Sequence, residues 1–200
     1  MSRTVAWHKD EPSGMELAEI RIDGTALAAA GVAIGTAPLP YRLDYELETR
    51  SDFVTSRLKV TSRGAGWRRD LDLRRDRSGA WSINADSEGA LGLPSAGGDT
   101  SLLSAALDCD LGLSPVTNMM PILRHGLLRG GGPVELTMAW VAVPALTVRS
   151  DGQRYRHLRS AAGHHVVGYE ATDGSFAAEI TVDADGVVID YPGIAQHVTG

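Results

Sequence analysis

Apolar residues fall at every second position through much of this chain, the period of a strand with one face covered. In YRLDYELET, Tyr41, Leu43, Tyr45 and Leu47 share one face, while Arg42, Asp44, Glu46 and Glu48 share the other. The same phase runs through VTSRLKV, with Val54, Leu58 and Val60 around the polar Ser56, and through GWRRDLDLRRD, with Trp67, Leu71 and Leu73 around Arg69. Asp76-Arg77-Ser78-Gly79 signals a tight turn, after which Trp81 and Ile83 continue the pattern. In the second half, Val134, Leu136, Met138 and Trp140 form one inward set, and Phe176, Ala178, Ile180 and Val182 another. Asp183-Ala184-Asp185-Gly186 then turns the chain into a segment where Val187, Ile189 and Tyr191 align. These links are too short for crossover helices, which predicts consecutive antiparallel hairpins in an all-β protein.

Two segments break the rhythm. Residues 84–104 are rich in Gly, Ser and Asp and read as a mobile loop leading into a short strand at Ala105 to Leu113. In DLGLSPVTNMMPILRHG, Ser114 can cap and Pro115 can take the first helical position, which predicts a helical turn within Ser114 to Arg124. Pro121 lacks an amide hydrogen and keeps that connector short. No internal repeat or linker divides the 200 residues, so a single domain over 1–200 is expected.

Composition narrows the possible partners. With 19 basic against 25 acidic residues the formal charge is −6, which disfavours phosphate backbones and anionic bilayers, so nucleic acid is not expected. The first dozen residues carry charges and no signal-like apolar run, and the Ala- and Gly-rich stretch Ala26 to Gly35 is too short to span a bilayer. A cytoplasmic location without integral membrane association is the expectation. Cys109 is the only cysteine, which rules out an intrachain disulfide and a thiolate metal cage.

Candidate catalytic groups are weak when the strand phase is applied. Ser114 sits in Leu-Ser-Pro rather than a Gly-x-Ser-x-Gly elbow, so capping is its expected role. His164-His165 would point to opposite faces of a strand. In Asp108-Cys109-Asp110 the phase turns Leu107, Cys109 and Leu111 inward and both carboxylates to water, which argues against paired-carboxylate catalysis. Gly130-Gly131-Gly132 lacks the Lys and helix of a phosphate loop and reads as a flexible hairpin loop. Arg69, on an apolar face, requires a carboxylate partner or a polar ligand. Neither a cofactor nor a metal site is expected.

The block DLGLSPVTNMMPILR closely resembles the Ser-Pro-x-Thr-Asn-x-x-Pro-Ile block of the bacterial family described as Putative glycolipid-binding, first catalogued as a domain of unknown function. YRLDYELET, GWRRDLDL followed by SGAW, AWVAVPALTV, QRYRHL and VDADGVVIDYPG agree in order, so the resemblance spans roughly residues 5–195. It implies a spiral β-roll or half-barrel: a single curled, mainly antiparallel sheet with a hydrophobic groove and one short helical connector. Two departures stand out. The family block ends Pro-Ile-Arg-Arg where this chain has Pro121-Ile122-Leu123-Arg124, and its Asp-x-x-Thr-Arg portion is stretched here over Asp52 to Arg57.

The expected function is non-catalytic binding of a lipid or glycolipid in that groove. Tyr45, Trp67, Trp81, Trp140 and Tyr191 would supply amphipathic walls, and Arg69, Ser114, Thr117, Asn118 and Arg124 the polar contacts, with Met119, Met120 and Ile122 facing an apolar tail. Thr117 and Asn118 could equally satisfy backbone at a buried turn. An alternative is a small enzyme acting on a hydrophobic or sugar-like substrate through Asp44 or His125, and another is a module binding a peptide or a second copy of itself.

Overall fold

The computed structural model describes residues 1–89 and 92–199, so residues 90 and 91 of the expected mobile loop lie outside the described residues. The first half contributes β1 (Ser2–Lys9), β2 (Gly14–Asp23), β3 (Ala26–Gly35), β4 (Tyr41–Thr49), β5 (Thr55–Gly64), β6 (Trp67–Arg75) and β7 (Trp81–Glu88). The second contributes β8 (Asp108–Leu111), helix α1 (Met119–Arg124), β9 (Val134–Val141), β10 (Val148–Ala161), β11 (His164–Ala171), β12 (Ala177–Val182), β13 (Val188–Tyr191) and β14 (Ala195–His197). All fourteen strands join one open sheet in the order β7-β6-β5-β4-β3-β2-β1-β14-β13-β12-β11-β10-β9-β8. Two meanders therefore meet where β1 pairs with β14 near the chain ends.

The expected antiparallel pairing holds except at β8–β9, which run parallel. Between them the chain passes through α1 and the turn Leu127–Arg129, enough residues for the crossover a parallel pair requires. Gly130-Gly131-Gly132 thus belongs to this crossover and not to a hairpin. Pro121 sits in the first turn of α1, where its missing amide hydrogen costs little.

The sheet rolls until its β8 end meets the inside of the first meander: Thr55 donates its amide to Leu107 O at 3.2 Å, and Cys109 donates to Thr55 Oγ1 at 3.0 Å. Strands β8 and β9 are consequently covered on both faces. Cys109, Leu111, Ala139 and Val141 pack with Leu58, Val60, Leu71 and Leu73 of the first curl. Met138 packs instead with Tyr155, Val167, Ile180 and Tyr191 of the second. The expectation that Asp108 and Asp110 face water is overturned for this reason: Asp108 is completely buried, and Asp110 looks into the second curl.

A bulge shifts the register between Glu48 and Thr49 against β5, changing the expected phase there. Thr55, not Ser56, points into the core, and the Ser56 hydroxyl donates outward to Glu48 O. On β3, Gly31 and Gly35 lie opposite Tyr45 and Tyr41, whose rings cross the strand where side chains would otherwise stand. A Cβ on Gly31 would come within 2.5 Å of Tyr45 Cζ.

Candidate functional site

The second curl encloses a cavity of about 500 Å³. Its wall follows from strand register. Asp110 lies beside Trp140 on β9, which lies beside Arg149 on β10, so the three side chains stand on one face. The Arg149 guanidinium stacks on the Trp140 ring at 4.4 Å from its centroid, and its Nη2 reaches Asp151 Oδ1 at 3.2 Å. Two residues along β10 is Gln153, and Tyr155 beyond it pairs with Tyr169 on β11. Tyr169, Phe176 and Tyr191 touch one another through tilted and edge contacts at 5.9–6.1 Å between centroids, forming an aromatic wall. Pro12, Ala37 and Pro38, from the turns after β1 and β3, complete the lining with Ser114 and Asn118.

Asp110 sits at the centre of the polar groups. Thr117 donates its hydroxyl to Asp110 Oδ1 at 2.8 Å, and Gln153 donates Nε2 to Oδ2 at 2.7 Å. The same amide nitrogen lies 3.4 Å from Asp151 Oδ2, so it stands between two carboxylates. The Tyr155 hydroxyl is shared between Asn118 Oδ1 at 3.0 Å and Gln153 Oε1 at 3.1 Å. Burial raises the Asp110 carboxyl above its ordinary range. The two hydrogen bonds oppose that shift, and the neighbouring Asp151 and Asp108 charges add to it.

A second buried polar group braces the connector. Lys9 Nζ lies 2.7 Å from Glu16 Oε2, and Glu16 Oε1 accepts from Tyr45 at 2.8 Å and from Ser114 at 2.6 Å. Ser114 therefore does not cap the turn over Pro115–Asn118, as its sequence context predicts; its hydroxyl is committed to β2. Leu113, just before it on the cavity wall, adopts φ +65°, a left-handed conformation that costs a bulky residue about 1–3 kcal/mol.

The residues expected to bind ligand divide between the two curls. Ser114, Asn118, Trp140 and Tyr191 line the cavity, and Thr117 holds Asp110 from behind. Tyr45, Trp67, Arg69 and Trp81 belong to the packed first curl. Arg69 meets neither a carboxylate nor an open cleft: it donates to the carbonyls of Arg68 at 2.8 Å, Glu88 at 2.6 Å and Pro94 at 3.2 Å, holding down the segment after β7. Arg124 donates through Nη1 to Asp108 Oδ1 at 2.6 Å and through Nη2 to Oδ2, in a bidentate buried pair. Met119, Met120 and Ile122 are fully buried around α1.

Of the groups weighed for proton transfer, Asp44 lies on the outer face with Arg42 and Arg63. His125 is half-buried beside Arg124; burial first, and then that guanidinium, lower its pKa. Sequence reasoning missed Asp110, Asp151, Gln153, Tyr169 and Phe176 as neighbours.

An open sheet rolled into a spiral around an aromatic-walled cavity is the architecture of a spiral β-roll. The chain belongs to the family described as Putative glycolipid-binding, whose pattern matches residues 4–197. It is similar to a DUF1089 family protein from Pseudomonas aeruginosa whose crystal structure is known, with 31% identity, 92% of each chain covered and a TM-score of 0.67. No curated protein matches the chain. Among the described residues no helix is long and apolar enough to cross a membrane.

Proposed function

We propose that this protein binds a small amphiphile of the glycolipid type, with its polar head beside Asp110, Asn118 and Asp151 and its apolar part against Trp140, Tyr169, Phe176 and Tyr191. The observation that carries this reading is the single cavity wall on which those aromatic rings and hydrogen-bonding groups converge. Aromatic faces cover the apolar faces of sugars and alkyl chains, while fixed amide and carboxyl groups read hydroxyls. At about 30 Å³ per water-sized group, the cavity takes a head group with a short length of chain, leaving a longer tail outside.

The test is a titration with octyl β-glucoside below its micelle concentration, followed through tryptophan emission. Saturable change in the wild type, lost in Trp140→Phe while Trp81→Phe keeps it, supports the reading. No saturable change at any concentration, with no lipid extractable from natively purified protein, overturns it.

A further inference from the structure

Charge is unevenly supplied around the cavity. Arg149, the cation of its lining, is already engaged by Asp151 and stacked on Trp140. Arg124, nearby, is consumed by Asp108. Asp110 receives hydrogen bonds from Thr117 and Gln153 but no ion pair among the described residues. The other ionisable groups around it are the tyrosines Tyr155, Tyr169 and Tyr191 and the carboxylates Asp108 and Asp151, none of them a cation. A buried carboxylate without a cation is costly to keep ionised, yet this one lies on open space walled by four aromatic rings. Carboxylates beside aromatic faces are the setting in which proteins hold ammonium groups, because the ring faces and the carboxylate attract the same charge.

Resting on the amphiphile-binding reading above, we infer that the preferred ligand head carries a positive charge: an ammonium group, as on an amino sugar or an alkylamine, seated between Asp110 and the rings of Trp140, Tyr169 and Tyr191. The ammonium supplies the cation that Asp110 lacks, and the Asp151 carboxylate faces it across Gln153 Nε2. The Arg149–Asp151 pair at the rim stays intact, so an anionic head gains no free cation there.

The experiment compares four probes of equal chain length on the whole chain: octyl β-glucoside, octyl 2-amino-2-deoxy-β-glucoside, octylamine and octyl sulfate. At pH 7, where both amines carry their charge to a large extent, they should bind about tenfold or more tightly than octyl glucoside, the gain expected of a hydrogen bond to a charged group. Octylamine equal to the amino sugar means that the ammonium alone is read, and a tighter amino sugar means that its hydroxyls are read as well; both support the inference. The preference for octylamine, which stays charged throughout, over the neutral probe should grow as pH rises from 4 to 8, because Asp110 must lose its proton to attract the ammonium. In Asp110→Asn the ratio should fall toward one. Where that variant does not fold, the wild-type pH series carries the test. Octyl glucoside or octyl sulfate binding as tightly as the amines at pH 7, or an octylamine preference that does not change with pH, overturns the inference while leaving amphiphile binding standing. Failure of all four probes removes both.

Discussion

The two curls of this sheet cover their inner faces by opposite means. In the first, Leu43, Leu47, Leu58, Leu71 and Leu73 are completely buried, the buried carboxylate of Glu16 meets Lys9, Tyr45 and Ser114, and buried Arg69 donates to main-chain carbonyls. In the second, Val167, Ile180 and Val182 are as well buried, but Trp140, Tyr169 and Phe176 remain partly exposed around a cavity, and Asp110 has no ion-pair partner among the described residues. The same folding device thus makes a closed core where the buried carboxylate meets a cation and an open one where a carboxylate is left for something else to meet. Strands β8 and β9 serve both, with Cys109, Leu111 and Val141 turned to the first curl and Asp110, Met138 and Trp140 to the second.

The largest expected effect comes from breaking the closed side. Lys9→Met leaves Glu16 buried without its cation and should cost about 3–5 kcal/mol in urea unfolding. Adding Glu16→Gln should recover part of that loss, since the remaining amide can still accept from Tyr45 and Ser114. A Lys9→Met protein as stable as the wild type would show that the charge pair is not what answers Glu16.

Next in size is a test of packing. Leu73→Ala, at a fully buried position of the first curl, should cost about 2–5 kcal/mol. Phe176→Ala, on the cavity wall and partly exposed, should cost clearly less in the same unfolding assay while weakening octyl glucoside binding. Equal costs at the two positions would erase the contrast between filled and open curls. Gly31→Ala should then cost about 1–3 kcal/mol, because its methyl group displaces the Tyr45 ring from its path to Glu16. Near-ultraviolet circular dichroism of the tyrosines checks whether the ring has moved.

Much of the sheet was legible because its inward residues alternate without ambiguity: Tyr41 to Leu47 and Trp67 to Leu73 occupy the faces their spacing predicts. The first three strands were harder to read. On β2 the buried residues are Glu16, Ala18 and Ile20, while the apolar Met15 and Leu17 face outward, so the apolar residues of the strand's two halves point to opposite faces. The cavity was hidden for a related reason. Alternation assigns one wet face to every strand, but a spiral covers β8 and β9 twice, and Asp108 and Asp110 then become interior groups. The sequence hint was the unusually long, proline-bearing crossover after β8, which a hairpin does not need. Which curl would stay open was not legible at all, because it depends on how far Thr55 and Leu107 bring the sheet around.

The smallest effect expected is also the most direct probe of the open side. Between about pH 4, where an unfolded aspartate titrates, and the raised value of Asp110, the folded protein holds a proton that the unfolded chain has released. Stability contributed by this group is therefore greatest below that window and is lost as pH rises through it. Asp72 acts in the opposite sense. Hydrogen bonds and ion pairs with Arg57 and Arg74 hold its carboxyl below the ordinary range, so its contribution is lost as pH falls. The informative quantity is the difference between wild type and Asp110→Asn, from which Asp72 cancels. Urea midpoints across pH 4 to 8 should show the variant gaining on the wild type as pH rises, since it keeps an uncharged group in the same cavity. A difference that stays constant over that range would mean that Asp110 is ionised in the fold throughout, its charge already answered within the protein, and the two curls would then differ in shape alone.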